Sequence, residues 1–316
     1  MRGTQRDVHG GRKAGRAMRW LRRVAVVGML GLTAAAAAAA AAPMTACSAD
    51  RTHSLTLMNE GVMAYRDGNY AGATVKFKEA VEIWPENGQA YYMLGQIYLW
   101  KYQQPDQAVT YLQKATEVDK EQADYWYQLG HCQTLLKRPE QAEASLRKAV
   151  ELKADHAGAW TRLGILAEQR GELTQSAELY GKGITADPRL PEAYVYLGDL
   201  YYRNEKYAEA QQVFKNGVEN NANNAELHNG LGNTYLATQR QKEAVVEYQE
   251  ALRLKTPYPS ALYNLGMTYY ALGDKGRAKT YLEKFNQAAN GGDNSARVAA
   301  AQARLMEIKE EEDKSQ

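Results

Sequence analysis

Two adjacent stretches decide the fold, because they are versions of one 34-residue pattern. They read PEAYVYLGDLYYRNEKYAEAQQVFKNGVENNANN (residues 191–224) and AELHNGLGNTYLATQRQKEAVVEYQEALRLKTPY (residues 225–258). In each, a Leu-Gly pair is followed after twelve residues by Ala and after sixteen by a large aromatic residue. The spacing continues in both directions, with glycines at Gly61, Gly95, Gly130, Gly164, Gly198, Gly232 and Gly266. Such a period predicts a repeat protein.

The residues at fixed distances from each glycine describe the repeating unit. Small residues follow at Ala73, Ala108, Ala142, Ser176, Ala210, Ala244 and Ala278, and large ones four positions later at Phe77, Leu112, Leu146, Tyr180, Phe214, Tyr248 and Leu282. The apolar residues recur with the period of an amphipathic helix, which predicts two helices in each unit. Glycine and alanine are expected to let the two backbones approach closely, with the large residue beside this contact. One extra residue in the second unit is expected in the turn between Trp100 and Asp106.

The pattern resembles the tetratricopeptide repeat over residues 54–292. This resemblance implies an all-α, right-handed α-solenoid of seven helix-turn-helix units, at 54–87, 88–122, 123–156, 157–190, 191–224, 225–258 and 259–292. Because one helix pair cannot bury its apolar face alone, such units stack and their ends need covers. Residues 293–316 are predicted to form a C-terminal capping helix with an acidic, solvated tail at 312–316. The face of that helix is predicted to carry Val298, Ala301, Leu305 and Ile308.

The positive charge of the sequence is concentrated at its N-terminus. Residues 1–46 hold eight of the 39 Lys and Arg and one of the 37 Asp and Glu, which leaves 31 basic against 36 acidic residues. A basic start, the apolar run at 24–42 and the small residues that follow are typical of an export signal, so 1–46 is predicted to be a signal peptide. The alternative is a retained transmembrane helix, because the run could just span a bilayer. Arg22-Arg23 leaves twin-arginine export open, and Met18 is an alternative start.

Cys47 ends a short segment that resembles the lipobox of bacterial lipoproteins, Thr45-Ala46-Cys47. The family usually has Leu where this chain has Met44. The resemblance implies lipid modification of Cys47, including palmitate, and a mature chain that begins at this residue with a linker at 47–53. It also implies export and attachment to a membrane that the chain does not span. In a bacterium with two membranes, Ser48 after the cysteine points to the outer membrane, facing the periplasm.

The sequence contains no pattern typical of an enzyme. Two cysteines exclude a disulfide framework and multi-cysteine zinc sites. The mildly acidic remainder argues against a nucleic-acid binder. No nucleotide-binding, nucleophile or metalloprotease motif is present. His131-Cys132 is the one suggestive pair, but Cys132 falls on the inward side of its helix and is predicted to be buried and inert. We therefore predict a protein without catalytic site, cofactor, metal or small-molecule substrate.

What the family resemblance implies instead is a concave groove, lined by the first helix of each unit. Family groove positions select ten predicted partner-binding residues: Tyr92, Gln96, Tyr127, His131, Asp199, Tyr202, Asn229, Asn233, Tyr263 and Tyr270. The tyrosines suit a peptide groove, although aromatic residues also fill space between helices in this repeat. The same resemblance leaves open whether the asparagines, including Asn264, hydrogen-bond a peptide backbone.

Charge on the groove side favours particular partners. The acidic residues there are Asp124, Glu168, Glu192, Asp199 and Glu226, opposed chiefly by Arg162 and Arg203. This distribution predicts that the middle of the groove prefers neutral to basic segments. The expected partner is an extended peptide or helix of an envelope protein.

Our leading hypothesis is a membrane-anchored scaffold. It resembles pilotin-like factors for type IV pilus secretins, and adaptors in outer-membrane protein assembly or cell-wall synthesis. The alternatives are the non-catalytic, substrate-recruiting subunit of an envelope enzyme complex and a purely structural spacer.

Overall fold

A computed structural model describes residues 41–289 and 295–314, and all regular structure within them is helical. The chain divides into two compact units, residues 1–49 and 50–316, and the first contributes to the described part only the beginning of one helix. The helices are α1 (Ala41–Arg66), α2 (Tyr70–Ile83), α3 (Gly88–Trp100), α4 (Pro105–Val118), α5 (Ala123–Leu135), α6 (Pro139–Leu152), α7 (Ala157–Gln169), α8 (Leu173–Ala186), α9 (Pro191–Arg203), α10 (Tyr207–Asn220), α11 (Ala225–Ala237), α12 (Gln241–Leu254), α13 (Pro259–Ala271), α14 (Lys275–Ala288) and α15 (Ser295–Lys314).

Helices α1 to α14 alternate as the first and second helices of the seven predicted units. From α3 onward the two helices of a unit pack against each other, and each second helix from α2 onward packs against the next first helix. Successive first helices from α3 to α13 also contact one another. Across the described residues, successive second helices show no comparable contact. A row of helices that is closer on one side curves toward that side, so the first helices line the inner face. The predicted α-solenoid is confirmed.

Each Leu-Gly glycine makes room for a specific large side chain. A Cβ atom built on Gly164 would lie 2.6 Å from the Tyr180 ring, and one on Gly232 would lie 2.6 Å from the Tyr248 ring. The same holds for the other five glycines and the large residue sixteen positions later, or seventeen in the second unit, where Gly95 meets Leu112. The sequence pattern predicts the large side chain beside a contact between glycine and alanine. In the structure it packs directly against the glycine. Close packing therefore requires glycine at this position.

The turn inside each unit holds one residue in the left-handed region. It is glycine in three units (Gly68, Gly171 and Gly273) and another residue in four, namely Gln103, Lys137, Glu205 and Gln239 with φ of 55–60°. The turn of the second unit has four residues between its helices where other units have three, as predicted. A left-handed conformation costs a residue with a Cβ atom roughly 1–2 kcal/mol. The backbone is therefore locally strained at these four turns, and the strain lowers the stability of the folded protein.

Replacing Lys137 by glycine is expected to raise the free energy of unfolding by up to about 1 kcal/mol, because glycine adopts φ of 55° without steric cost. The opposite change, Gly171→Ala, is the matched control: the space around Gly171 is open, so only backbone strain is added. It is expected to lower stability by about 1 kcal/mol. Urea unfolding of both variants measures the two effects. A loss of stability in Lys137→Gly would contradict the explanation.

An aromatic or histidine ring four residues before the glycine ties neighbouring units together. The indole N–H of Trp126 donates to the carbonyl of Lys120 at 2.8 Å, and that of Trp160 donates to Ala154 at 2.8 Å. In the sixth unit His228 takes this role, since its Nε2 lies 3.1 Å from the carbonyl oxygen of Ala222. Its other nitrogen, Nδ1, lies 2.7 Å from Oε2 of Glu247. Both acceptors are oxygens, so satisfying both bonds requires the protonated ring.

The His228–Glu247 pair is expected to make stability depend on pH. Burial lowers the pKa of His228, but its hydrogen bonds to Glu247 and to the Ala222 carbonyl, with the nearby Glu250 carboxylate, raise it above its ordinary value. The stabilisation is therefore complete below about pH 6.5, the unfolded pKa, and is lost as pH rises through the folded pKa. We expect the stability difference between wild type and Glu247→Gln to fall by about 1 kcal/mol between pH 6 and pH 8.5. Urea unfolding at both values measures it, and a difference that grows with pH would contradict the pairing.

The C-terminal cap is confirmed. Ala301 and Ile308 of α15 are fully buried. Val298 and Leu305 of the same helix pack against the hydrophobic cluster that contains Ala301. Phe285 replaces the small residue that ends the second helix of earlier units, and it lies buried against Ala301. The tail is solvated as predicted, since its described residues are exposed, but they continue α15 as far as Lys314. Lys279 of α14 pairs with Glu312 at 2.7 Å.

The start of the described part also differs from the prediction. The predicted linker at 47–53 lies within α1 instead. Its residues contain no proline or glycine to end a helix, and Pro43 lies in the first turn, where it is tolerated. The side chain of Cys47 and residues 1–40, with the predicted signal, are outside the described residues. Among the helices that are described, none is both long and apolar enough to cross a bilayer.

Candidate functional site

The ten predicted groove residues all lie on first helices. Nine of them are half-buried, which leaves part of each side chain accessible on the inner face. The exception is His131, which is only 4% exposed. The structure therefore places nine of the ten where a partner could contact them.

His131 is a correction to the predicted groove. Its ring packs against Trp100, with ring centroids 4.9 Å apart. Burial, with a smaller contribution from Arg162, lowers the pKa of His131 to about 4, so the ring is neutral at neutral pH. Trp100 covers it and is itself 52% exposed. The accessible group here is therefore the indole of Trp100, which the family groove positions did not indicate.

The groove tyrosines of the second and third units form a packed layer. Tyr92 stacks on Tyr125, with centroids 4.6 Å apart, and accepts a hydrogen bond from Nε2 of Gln96 at 2.6 Å. Burial raises the pKa of Tyr92. Tyr127 packs on the His156 ring at 4.5 Å and accepts a hydrogen bond from Nε of Arg162 at 3.3 Å. These tyrosines support the helices and remain half-buried, so part of each side chain is accessible.

Two adjoining cavities open in the middle of the inner face. The first, of about 120 Å³, is lined by Tyr127, Gly158, Thr161, Arg162, Ile165, Leu190, Glu192 and Tyr196. The second, of about 340 Å³, is lined by Ile165, Glu168, Gln169, Tyr180, Tyr196, Asp199 and Arg203. Because they share Ile165 and Tyr196, they form one cleft across α5, α7 and α9. We call it the central cleft.

The two carboxylates in the larger cavity of the central cleft, Glu168 and Asp199, differ in their hydrogen-bond partners. Glu168 accepts hydrogen bonds from the Tyr180 hydroxyl at 2.9 Å and from Nη2 of Arg203 at 2.5 Å. Nε of Arg203 donates to the backbone carbonyl of Asp199. Desolvation raises the pKa of Asp199 to about 6; nearby Arg203 opposes this, and Glu168 and Glu226 add to it. The central cleft therefore has net negative character.

Two further predicted acidic residues have partners that the sequence pattern did not indicate. Asp124 lies 3.2 Å from Nε2 of His156, whose hydrogen bond lowers the pKa of Asp124. Nδ1 of His156 accepts from the N–H of Ala159, so Nε2 carries the proton. Glu226 pairs with Lys255 at 3.3 Å. His156 and Lys255 lie at the turns between units, and their contacts depend on how units stack.

The C-terminal part of the inner face is a network of amides and tyrosines. Asn233 Oδ1 accepts from the Tyr248 hydroxyl at 2.9 Å and from Nδ2 of Asn264 at 2.8 Å, and Asn229 lies at the edge of this network. Tyr202 packs edge-on against Tyr207. Asn233 therefore uses its carbonyl oxygen within the protein.

Tyr263 and Tyr270 contact the cap as well as facing the groove. Arg297 lies over the Tyr263 ring at 5.6 Å and Arg304 over the Tyr270 ring at 5.0 Å. The Tyr270 hydroxyl also donates to Glu307. The partner-binding prediction is weakest for these two, because α15 already uses part of each ring.

The remaining candidate for chemistry is inert. Cys132 is fully buried, its thiol donates to the carbonyl of Pro105 at 3.2 Å, and burial raises its pKa to about 12. The predicted burial of this thiol is confirmed. Within 41–289 and 295–314, no three His, Cys, Asp or Glu side chains are grouped so that they could hold a metal ion.

Comparison with known proteins identifies related sequences and folds. Family models described as tetratricopeptide repeats match residues 64–129, 167–234, 123–156 and 259–290, and one described as TPR repeat matches 232–273. Among curated proteins, none has a matching sequence.

Three solved structures have folds similar to that of this chain. The structure titled as a functional characterisation of Pseudomonas aeruginosa pilF is 19% identical, with a TM-score of 0.58, over 72% of this chain and 98% of that one. A tetratricopeptide repeat protein of Parabacteroides merdae is 15% identical, with a TM-score of 0.58, over 82% of this chain and 99% of that one. Yeast Tom70 is 17% identical, with a TM-score of 0.57, over 83% of this chain and 56% of that one. At these identities the likeness concerns the fold alone.

Proposed function

Because the chain belongs to the tetratricopeptide repeat family, we propose that it is a non-catalytic scaffold that binds a segment of another protein along its inner face. The observation that carries this proposal is the central cleft. It crosses three consecutive first helices, combines tyrosine and isoleucine surface with charged groups, and is open to a chain lying across the helices. Tyrosines supply rigid contact area at low entropic cost, as in other peptide-binding surfaces.

The proposed partner is a neutral to basic segment, in an extended or helical conformation. Glu168, Glu192 and Asp199 line the central cleft against Arg162 and Arg203, and Arg203 is already bound by Glu168. An acidic segment would bring further negative charge to a cleft that already holds a desolvated carboxylate.

Site-specific photo-crosslinking in cells tests the binding surface. A benzophenone amino acid replaces Tyr196 in the central cleft, and the matched control replaces Val246, which is 61% exposed on the second helix α12. We expect a discrete adduct with one protein at position 196 and none at 246. Mass spectrometry of the adduct should locate the crosslink in one continuous segment of the partner. Equal crosslinking at both positions, or crosslinking at 246 alone, would refute the proposal.

We further propose that the scaffold works in the cell envelope, held by a lipid on Cys47 after export. The support is the basic, apolar and small-residue order of residues 1–46 and the Thr45-Ala46-Cys47 segment. In an organism with two membranes, the surface is the outer membrane facing the periplasm, and the process is pilus, secretin or outer-membrane complex assembly. Cys47→Ser is expected to move the protein from the membrane to the soluble fraction of the cell. Retention of the variant in the membrane would refute the anchor and favour a membrane-spanning segment.

A further inference from the structure

Asp199 is a half-buried acidic group of the inner face without a bonded partner, whereas Glu192, which also has none among the described residues, is exposed to water. Asp124, Glu168 and Glu226 each lie within 3.3 Å of a basic side chain. In the part of the chain that the structure describes, no hydrogen bond or ion pair reaches the Asp199 carboxylate. The adjacent Arg203 uses Nη2 on Glu168 and Nε on the Asp199 backbone carbonyl. A half-buried carboxylate is thus left next to an arginine that is bound elsewhere.

An unpaired carboxylate in this setting is costly to the free protein. Removing a charge from water without pairing it disfavours the charged form. The pKa of Asp199 is raised to about 6 for this reason. A cation placed in the cavity would be attracted by Asp199 and, more weakly, by Glu168, so the pairing would relieve this cost.

The wall of the same cavity suits the alkyl part of a basic side chain. Tyr196 is 39% exposed, and its ring stacks on Tyr180 with centroids 5.6 Å apart and planes 12° apart. The Tyr180 hydroxyl is held by Glu168, so this pair of rings is fixed in place. Ile165 lies in the wall that the two cavities share. Lysine and arginine carry apolar stems that pack along such surfaces while the charged end reaches a polar group.

We propose that the cavity is a subsite for a lysine or arginine side chain of the bound segment, which pairs with Asp199 while its stem lies along Tyr196 and Ile165. Asp199 is then the residue that selects basic over neutral segments. The inference rests on the proposed function of the inner face. It adds that one position of the partner is lysine or arginine and that Asp199 recognises it.

A peptide-array measurement tests the subsite with the full chain. The peptides are twelve residues long, acetylated and amidated, with random neutral residues around a fixed central lysine, arginine, acetyl-lysine, norleucine or glutamate. Acetyl-lysine keeps the stem and removes the charge. Wild type is expected to bind the lysine and arginine sets about tenfold more tightly than the acetyl-lysine set, a difference of about 1.4 kcal/mol. Asp199→Asn should reduce this ratio to about one.

Two controls separate the subsite from general effects. Asp155→Asn removes a charge from an exposed turn outside the cavity and should leave the ratio unchanged. Asp199→Asn is also expected to unfold at the same or a higher temperature than wild type, because it removes a desolvated charge, so loss of folding would not imitate the result.

The pH dependence gives an independent readout. The ionisable groups near Asp199 are Glu168 on α7, Arg203 and Tyr202 on α9, Glu226 on α11 and Tyr258 before α13, with Tyr180 and Tyr196 in the wall of the cavity. Tyr202, Tyr258 and Tyr180 titrate well above neutral pH, since their pKa values are raised. The lysine preference of wild type should therefore fall several-fold between pH 7.5 and pH 5, as Asp199 is protonated. Asp199→Asn should show no such change.

The outcomes distinguish the two levels of the proposal. Binding that is equal for the lysine and acetyl-lysine sets, or a lysine preference that survives Asp199→Asn, overturns the subsite and leaves the scaffold proposal standing. Failure of every peptide set to bind overturns the proposed function and the subsite with it.

Discussion

Gly198→Ala is expected to lower the free energy of unfolding by about 2–3 kcal/mol, although it adds one methyl group. A Cβ atom at position 198 would lie 2.5 Å from Cζ of Phe214, and three ring atoms lie within 2.7 Å of it. The ring cannot move away, because it is 1% exposed and also lies against Gly230, where a Cβ would overlap it as well. The new methyl group therefore forces the helices of the fifth unit apart.

The control for this prediction is a glycine in open space. Gly181 lies inside α8, and no atom lies within 4 Å of the position its Cβ would take. Gly181→Ala should therefore stabilise the protein by about 0.5–1 kcal/mol, through helix propensity alone. Urea unfolding of both variants gives two effects of opposite sign. A Gly198→Ala variant as stable as wild type would show that the helices do not pack through this contact.

Ile308→Ala in the cap is expected to cost about 2–4 kcal/mol. Ile308 is fully buried near the end of α15, where it joins the cluster that contains Tyr269. Removing its side chain leaves a cavity between the cap and the last unit. In an array whose units contact only their neighbours, a weakened end loosens the adjacent unit first.

Met306 provides the control on the same helix. It is 65% exposed, so Met306→Ala should change stability by less than about 0.5 kcal/mol. Amide hydrogen exchange adds a spatial readout, because Ile308→Ala should speed exchange in α13 and α14 while α7 and α8 stay protected. Uniformly faster exchange along the whole array would contradict the end-loosening explanation.

The repeat architecture was predictable because it depends on spacing. The glycine and its partner sixteen or seventeen residues later are local in sequence, so their contact follows once two helices are joined by a short turn. The extent of α1 and of α15 was not predictable in the same way. Beyond the last repeat there is no periodic signal to end a helix, and the Lys279–Glu312 pair depends on packing of the cap against α14.

The accessibility of the predicted groove residues was predictable, and their contacts were less so. Family positions placed nine of the ten predicted residues partly accessible on the inner face. They could not show that Trp100 covers His131, because this contact joins two neighbouring units. They also could not show that Arg203 pairs with Glu168 rather than with Asp199, since both acids belong to the same acidic surface and only the packed geometry selects between them.

The contact between successive first helices sets a length scale for anything that lies across them. Packed helix axes are about 8–10 Å apart, and an extended chain advances about 3.3 Å per residue. One unit of the array therefore corresponds to about three residues of an extended partner. The central cleft, which spans α5 to α9, would hold about six. A bound extended segment would therefore place every third side chain in a comparable position on successive units. The inner face would contact such a segment with a three-residue repeat.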